Sequence, residues 1–471
     1  MNRCRLIRLF IGLTACGTCY DADAAAPRPN LILIMADDMR HDMLGVAGNR
    51  VIQTPHLDAL AKDGTRFRNM FVTTSICTAS RASVLTGLYE RTHKYTFNSA
   101  KPISAKHWSQ SYPVLLKQTG YRTEVIGKIG VAVENGGIKQ GFDHFIDLEH
   151  KPYLQKQTDG SIKHLTDIEG DLANEFVNSC SDKQPFYLSL SFSAPHATDN
   201  APEQYFWSEA SNDLYRDTIF PIPKTMSDEF FQRQPKFLRE SESRVRFHWR
   251  FDEPEKYQKM VRGYYRMITD IDRVVGRLRD TLKQRGLDQN TVIVFTSDNG
   301  NFLGERGFAD KWYLYEPSVR VPLIIHDPRA ATERRGQTID AMSLNVDLTP
   351  TLLDLAGIPL PTGYQGQSLS PWLQGLKPAN WRTDFFYEHL FEHPRIPKSE
   401  GVRTEKYAYI RWFEQQPLVE ELYDHQADPD EAHNLVNDPK YSKTLEQLRQ
   451  RTTALRDQYG GPFVSNLKPS K

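Results

Sequence analysis

Four short hydrophobic runs, each ending in polar residues, stand out in the pattern along the chain. They cover residues 31–36, 123–126, 186–192 and 292–296. Runs this apolar are typical of strands covered on both faces, because a strand with one face in water alternates polar and apolar residues. Helical segments separate the runs. The pattern therefore predicts an α/β fold, with a large sheet between two layers of helices.

The polar residues that end these runs are the first candidates for a site. In chain order they are Asp37 and Asp38, Lys128, His196, and Asp298 and Asn299. In open α/β sheets, ligands bind where parallel strands end at their carboxyl edge. The sequence therefore predicts that these three acids, the asparagine, the lysine and the histidine lie together at one edge of the sheet.

Outside these runs the clearest pattern is a long helix at about 259–285. Apolar residues recur there at helical spacing, and Gly286 ends the segment. Residues 197–255 are rich in proline, aromatic and charged residues without clean periodicity. We interpret them as an insertion of loops and short helices.

The last quarter of the chain has a different pattern. A stretch rich in glycine and proline at 361–378 indicates a connection between domains. Beyond it, residues 384–388 and 407–412 are typical of strands, and 441–459 of a helix. The sequence thus predicts a catalytic domain at 28–375 and a smaller α+β domain with an antiparallel sheet at 376–471.

Composition excludes some classes of function. The chain has 471 residues, of which 39% are hydrophobic and 25% charged, as in an ordinary globular protein. The formal net charge is zero, which argues against a dedicated nucleic-acid binder.

The N-terminus has the features of a signal peptide at residues 1–26. Arginines precede a short apolar run at 6–16, and small residues follow it. A lipobox-like segment ends at Cys16, so a lipid anchor there is the alternative to soluble export. No other run is long and apolar enough to cross a membrane. We therefore expect a periplasmic or extracellular protein.

Export makes the cysteines informative. Of the five in the chain, only Cys77 and Cys180 lie beyond the signal region. In an oxidising compartment they could form a disulfide. The other interpretation is a separate chemical role for Cys77.

The polar pairs Asp37-Asp38 and Asp298-Asn299 indicate a binding site for a hard metal ion. Adjacent carboxylates repel each other, which is costly at a strand end unless a cation or hydrogen bonds offset it. Three carboxylates and the Asn299 amide make an all-oxygen set. Such a set suits calcium or magnesium better than zinc.

The segment Cys77-Thr78-Ala79-Ser80-Arg81 resembles the C-x-P/A-x-R signature of type I sulfatases, in the alkaline phosphatase superfamily. Segments similar to that family's other motifs follow in the same order, from Arg28-Pro29-Asn30 through Asp298-Asn299-Gly300 and Asp310-Lys311 to Asp428-Pro429. The chain resembles bacterial secreted carbohydrate sulfatases, and the resemblance covers nearly the whole mature chain. It implies an alkaline-phosphatase-like fold and a sulfuric ester hydrolase.

The resemblance also implies a set of roles. Cys77 would be oxidised to formylglycine by a maturation enzyme, and its hydrated aldehyde would attack the sulfate. The implied ligands of one calcium ion are Asp37, Asp38, Asp298, Asn299 and the modified residue 77. Arg81 would hold the formylglycine, Lys128 and Lys311 would contact the sulfate, and His196 would help the alcohol to leave.

One position departs from the family pattern. Many sulfatases carry a histidine two residues after the lysine, where this chain has Gly130. Either another group, such as Asp298 or a nearby histidine, replaces it, or turnover is slow.

Two basic and aromatic clusters lead us to expect a sulfated glycan as substrate, because aromatic rings stack on sugars and cations pair with sulfates. The clusters are Arg244, Arg246, His248, Trp249 and Arg250, and Lys101, Lys106, His107 and Trp108. Two alternatives stay open at this point. One is a phosphonate monoester hydrolase or phosphodiesterase of the same superfamily, and the other is a sulfated-glycan-binding protein without catalysis.

Overall fold

The computed structural model describes residues 28–97, 101–199 and 201–465. The signal peptide predicted at 1–26, including Cys16, lies outside these residues. Within the described ranges, no helix has the length and apolar character needed to cross a bilayer.

Up to residue 375, many short elements surround a few long ones. The strands are β1 (Asn30–Ala36), β2 (Thr65–Phe67), β3 (Met70–Phe71), β4 (Arg122–Gly127), β5 (His144–Asp147), β6 (Leu154–Lys156), β7 (Ile162–His164), β8 (Phe186–Ser191), β9 (Thr291–Ser297), β10 (Phe302–Leu303), β11 (Ala309–Asp310), β12 (Arg320–Val321), β13 (Leu323–His326), β14 (Gln337–Ile339) and β15 (Ser343–Leu344). The helices are α1 (Pro55–Asp63), α2 (Cys77–Thr86), α3 (Glu90–His93), α4 (Ala105–Ser109), α5 (Tyr112–Gln118), α6 (Leu165–Ser179), α7 (Asp228–Gln232), α8 (Lys236–Arg239), α9 (Glu242–Arg250), α10 (Pro254–Gln284), α11 (Glu316–Val319), α12 (Leu348–Leu355) and α13 (Ser370–Leu373).

A large mixed sheet forms the centre of the molecule. Its strand order, among the described residues, is β14-β2-β13-β9-β1-β8-β4-β5. The five strands from β9 to β5 run parallel, and β13 pairs antiparallel with β9. The four predicted strands are thus neighbours, and their carboxyl ends share one edge as expected. The fifth parallel strand, β5, is only partly buried, and the sequence did not predict it.

Residues of β1 alternate between two cores, one on each face of the sheet. Leu31 and Leu33 belong to a cluster that also holds α2, α5 and α12, whereas Ile32 and Ile34 pack with α6 and α10. This two-sided burial explains why the strand reads as an unbroken apolar run. The α/β fold predicted from the sequence is confirmed.

The long helix α10 begins five residues before its predicted start, at Pro254. Proline is favoured in the first turn of a helix, where its missing N–H costs nothing, so the proline does not mark a break. The 197–255 region consists of loops and short helices, as predicted.

The C-terminal part contains a four-stranded antiparallel sheet and a helix. Its elements are β16 (Asp384–His389), β17 (Ser399–Thr404), β18 (Tyr407–Trp412), β19 (Val419–Asp424) and α14 (Ser442–Tyr459). Phe385 packs against Phe71 of the large domain, with ring centroids 5.2 Å apart. Arg91 forms 2.7 Å ion pairs with Glu388 and Glu400 across the same contact. The smaller sheet therefore shares a core with the larger one, and the division at residues 375 and 376 stays a prediction.

Candidate active site

The carboxyl edge of the large sheet brings the predicted acidic pairs together. Asp37 and Asp38 follow β1, and Asp298 and Asn299 follow the neighbouring β9. All four are at most 2% exposed. The Asp38 backbone N–H donates to Asp298 Oδ1 at 3.2 Å, and Asn299 Nδ2 donates to Asp38 Oδ1 at 2.5 Å. Burial and the neighbouring Asp37 carboxylate raise the pKa of Asp298 to about 6.

Two buried lysines contact these carboxylates. Lys128, just after β4, donates to Asp37 Oδ2 at 2.5 Å. Lys311 donates to the two carboxylate oxygens of Asp38 at 2.6 and 2.7 Å. Although burial alone would raise the pKa of Asp37, Lys128 and the cations near it hold that pKa well below its usual range. Asp37 in turn raises the pKa of Lys128, against the effect of burial, so the pair is charged.

The cluster has the donor atoms that a divalent cation needs. Asp37 Oδ1 and Asn299 Oδ1 are buried and accept no hydrogen bond, which is costly for polar atoms in a protein interior. Ligand atoms of Asp37, Asp38 and His196 lie within 4.8 Å of one another. Oxygen donors dominate the set, which suits calcium or magnesium. The residues therefore fit the predicted metal site.

Cys77 is the first residue of α2, where backbone N–H groups and the helix dipole favour an anion. The side chain is 4% exposed, and burial raises the pKa of its thiol. Both Cys77 and Cys180 are free cysteines. The alternative of a disulfide between them is therefore wrong. They lie on separate elements, at the start of α2 and just after α6.

Arg81, one helical turn after Cys77, connects four elements around the site. Its Nε donates to Asp298 Oδ2 at 2.7 Å, and its Nη1 donates to the Lys128 carbonyl and to Ser191 Oγ, both at 2.6 Å. The guanidinium is almost fully buried and matched by carboxylates. It thus fixes α2 against the ends of β4, β8 and β9.

His196 lies on the loop after β8, and its ring is partly exposed to the cavity. Nδ1 lies 2.6 Å from the Ala197 carbonyl oxygen, which can only accept, so Nδ1 carries a proton. The other nitrogen, Nε2, lies 3.7 Å from Asp38 Oδ2 and faces the acidic cluster.

A cavity of about 660 Å³ opens above these groups. One group of lining residues, which we call the sulfate end after the ester that the family resemblance implies, comprises Asp37, Cys77, Lys128, His196 and Lys311. A second group, which we call the sugar end after the glycan expected from the sequence, comprises Phe97, Trp312, Phe391, His393 and Ile396. Three of these residues come from the loop between β16 and β17, so the C-terminal part contributes to the same cavity.

Most described residues of the two basic clusters do not line this cavity, so the structure does not support them as direct glycan contacts there. Arg250 is fully buried and pairs with Asp310 and Asp199. Arg244 stacks on Phe231 with its guanidinium 3.8 Å from the ring centroid. Within the described residues, only Arg246 of the first cluster lines the cavity, and none of the second cluster does.

The arginines of the first cluster instead support Lys311. Arg246 donates to Asp310 Oδ2 at 2.5 Å, and Arg250 holds the other oxygen. Asp310 and Trp312, on either side of Lys311, have positive φ angles of 68° and 89°. Such backbone is unfavourable for these residue types, so the two ion pairs stabilise the turn that presents Lys311.

Sequence reasoning missed three polar residues around the site. Ser191 accepts from Arg81, and the Tyr153 hydroxyl oxygen lies 2.7 Å from both the Ser193 and the His196 carbonyl oxygens, to one of which it can donate. Glu149 lines the cavity two residues after β5. Ser191 lies near the end of a predicted strand, so the sequence pattern could have identified it. Glu149 follows β5 and Tyr153 precedes β6, and both strands are too short and too exposed to show a pattern.

Comparison with protein families gives two matches. The model described as "Sulfatase" matches residues 29–358, which is more than half of the chain. A second model, described as "N-sulphoglucosamine sulphohydrolase, C-terminal", matches residues 304–458. The second match covers both the Lys311 turn and the C-terminal sheet.

Individual relatives agree with these matches. The chain is 31% identical to an N-acetylglucosamine-6-O-sulfatase of Bacteroides thetaiotaomicron, over 92% of this chain and 87% of that protein. It is 29% identical to an arylsulfatase of Clostridium perfringens, over 90% and 93%. A solved structure in complex with D-glucosamine-2-N,6-O-disulfate superposes with a TM-score of 0.78 at 30% identity, covering 92% of this chain and 98% of that one.

Proposed function

Because the chain belongs to the sulfatase family, we propose that it hydrolyses sulfate esters of a glycan in a calcium- and formylglycine-dependent reaction. The observation that supports this proposal most directly is the set of residues at the sulfate end of the cavity. There, Cys77 at a helix N-terminus shares one wall with two charged lysines and a buried all-oxygen cluster. A sulfate ester is an anion, and the two lysines offer it positive charge at this wall.

In this proposal Asp37, Asp38, Asp298 and Asn299 hold one calcium ion, together with an oxygen at position 77. The ion supplies positive charge beside the sulfate and lowers the pKa of a bound hydroxyl. Lys128 and Lys311 lie against the same carboxylates and bind the remaining sulfate oxygens. Arg81 fixes the start of α2, which orients residue 77.

The state of Cys77 supports its conversion. A buried thiol with a raised pKa is a poor nucleophile at neutral pH. Hydrated formylglycine supplies instead one hydroxyl that attacks sulfur and a second that allows the aldehyde to re-form. The proposal therefore needs a maturation enzyme that oxidises Cys77.

His196 is the proposed proton donor to the departing alcohol. Its Nδ1–H bond to Ala197 orients the ring, and Nε2 faces the cluster where the ester oxygen would lie. Protonation of the leaving oxygen contributes typically ~10²–10⁴-fold to such a step.

The proposed substrate is a 6-O-sulfated glucosamine residue of a sulfated glycan. Two of the relatives reported above are named for sugars of this class, the N-acetylglucosamine-6-O-sulfatase and the structure in complex with D-glucosamine-2-N,6-O-disulfate. The cavity, at about 660 Å³, lies within the ~300–1,000 Å³ common for small-ligand sites. Aromatic residues at its sugar end offer surfaces for stacking, and the N-terminal pattern supports an exported enzyme.

Two measurements test the proposal. Mass spectrometry of the peptide containing residue 77, from protein made in its native host, should show formylglycine in place of cysteine. The matured enzyme should then release sulfate from 6-O-sulfated N-acetylglucosamine. A strong preference for phosphodiesters or phosphonate monoesters would contradict the proposal, and so would binding of sulfated sugars without any release of sulfate.

A further inference from the structure

The loop after β4 has no room for a side chain at position 130. Gly130 has a φ of +68°, and a β-carbon there would lie 2.9 Å from Arg81 Cδ. Arg81 cannot move away easily, since it is held by Asp298 and Ser191. A histidine at this position would therefore displace the arginine that orders the site, so any replacement for it must come from another loop.

Glu149 is the residue that reaches this point. The Gly130 N–H donates to Glu149 Oε2 at 3.1 Å. Gly127 and Asp147 are partners in the β4–β5 pairing, so the loops after these two strands leave the sheet side by side. Glu149 lines the cavity together with Cys77. Its own N–H donates to Asp147 Oδ1 at 3.0 Å, which fixes the backbone.

Each of the other acids that line the cavity forms an ion pair. Asp37 pairs with Lys128, Asp199 pairs with Arg246 at 2.7 Å, and Glu242 pairs with Arg395 at 2.5 Å. In the described part of the chain, Glu149 is the cavity-lining carboxylate outside any ion pair. One of its oxygens is therefore left to accept a proton.

The loop after β4 relates this carboxylate to residue 77. Gly130, whose N–H donates to Glu149, lies against Arg81, one helical turn after residue 77. The side chains of Glu149 and Cys77 line the same cavity.

We propose that Glu149 accepts the proton that residue 77 must lose when sulfate is released, an inference that rests on the function proposed above. In that step the O–H bond of the free hydroxyl breaks and its proton passes to Glu149, directly or through one water. The electron pair forms the C=O bond of the aldehyde. The C–O bond to sulfate breaks, and its electron pair leaves with the sulfate anion. Water then takes the proton from Glu149.

The test is a quenched-reaction experiment on the matured Glu149→Gln enzyme. Glutamine keeps the acceptor for Gly130 N–H and removes the basic carboxylate. We expect one equivalent of alcohol to be released in a burst, followed by turnover reduced by at least about 10²-fold. The peptide containing residue 77 should carry one added sulfate group, and Glu149→Asp should restore part of the turnover.

Glu134→Gln is the matched control, because exposed Glu134 also accepts a backbone N–H, that of Ala105 at 2.8 Å, outside the cavity wall. It should show neither burst nor adduct. Normal turnover of Glu149→Gln without an adduct overturns the inference. Loss of the alcohol burst in Glu149→Gln also overturns it. So does an adduct that forms in His150→Asn and not in Glu149→Gln. If the wild type has formylglycine yet releases no alcohol from any sulfate ester, the proposed function itself fails.

Discussion

The sulfate end and the sugar end of the cavity are built in different ways. At the sulfate end, Asp37, Lys128 and His196 follow β1, β4 and β8, neighbouring strands of the central sheet, and Lys311 follows β11. At the sugar end, the wall comes from loops, including the one between β16 and β17. Sheet edges hold side chains in fixed geometry, whereas loops tolerate sequence change. The comparison indicates that reaction and substrate preference are carried by separable parts of the chain.

Three arginines fix the groups around the cavity. Arg81 ties α2 to three strand ends, while Arg250 and Arg246 hold Asp310 beside Lys311. Lys311 belongs to the sulfate end and the next residue, Trp312, to the sugar end, and the arginines that support this turn lie on α9. The sulfate end and the sugar end are therefore not fully separate at the Lys311 turn.

The largest effect should come from removing the nucleophile. Cys77→Ala is expected to lower kcat by at least about 10⁴-fold, since alanine cannot become an aldehyde. Cys180→Ala, the matched buried cysteine outside the cavity wall, should keep normal turnover. Steady-state hydrolysis of a sulfate ester measures both. Activity in Cys77→Ala would mean that the sulfate end does not act through residue 77.

Arg250→Met tests the connection between the ends. It leaves Asp310 and Asp199 with one cation fewer in a buried site, so the free energy of unfolding should fall by about 3 kcal/mol. kcat should fall as well, because the Lys311 turn loses an anchor. Denaturant unfolding and kinetics measure the two effects.

His248→Ala is the control on the same helix. Its exposed ring lies 3.4 Å from Asp252, and its loss should change stability by less than about 0.5 kcal/mol. If Arg250→Met is no less stable than this control, the arginine does not support the turn.

Calcium should stabilise the sulfate end specifically. At a concentration 100-fold above its Kd, calcium should raise the free energy of unfolding by about 2.7 kcal/mol relative to chelated protein. Asp37→Asn should reduce this increment sharply, because it removes one buried ligand. Denaturant unfolding with and without chelator measures the difference. If calcium raised the free energy of unfolding equally in the wild type and in Asp37→Asn, the ion would bind at another site.

The smallest effect is expected at the sugar end. Phe391→Ala should raise KM for a sulfated sugar roughly 10-fold, equivalent to about 1.4 kcal/mol, and leave kcat nearly unchanged. KM for a small aryl sulfate should not change, because such a substrate does not reach this wall. Equal effects on both substrates would show that the two ends are not separable.

The sequence predicted the sulfate end better than the rest because its signals are local. A buried strand and the acid that follows it are adjacent in the chain, as in β1 and Asp37. Arg250 shows the limit, since its partners Asp199 and Asp310 lie 51 and 60 residues away. Without that pairing, a basic cluster is indistinguishable from a surface that binds sulfated sugar. Glu149 was missed because β5 is half-exposed and carries no apolar run.

The strand order of the central sheet also affects how the protein is made. Leu31 of β1 pairs with Tyr187 on one side and with Val292 on the other, so β1 cannot take its place until most of the chain has been synthesised. Translation at about 5–20 residues per second gives a delay of roughly 10 s or more between Cys77 and Asp298. The folded site buries Cys77. The proposed oxidation of this cysteine thus belongs to the unfolded nascent or newly exported chain, and early folding would leave the enzyme permanently inactive.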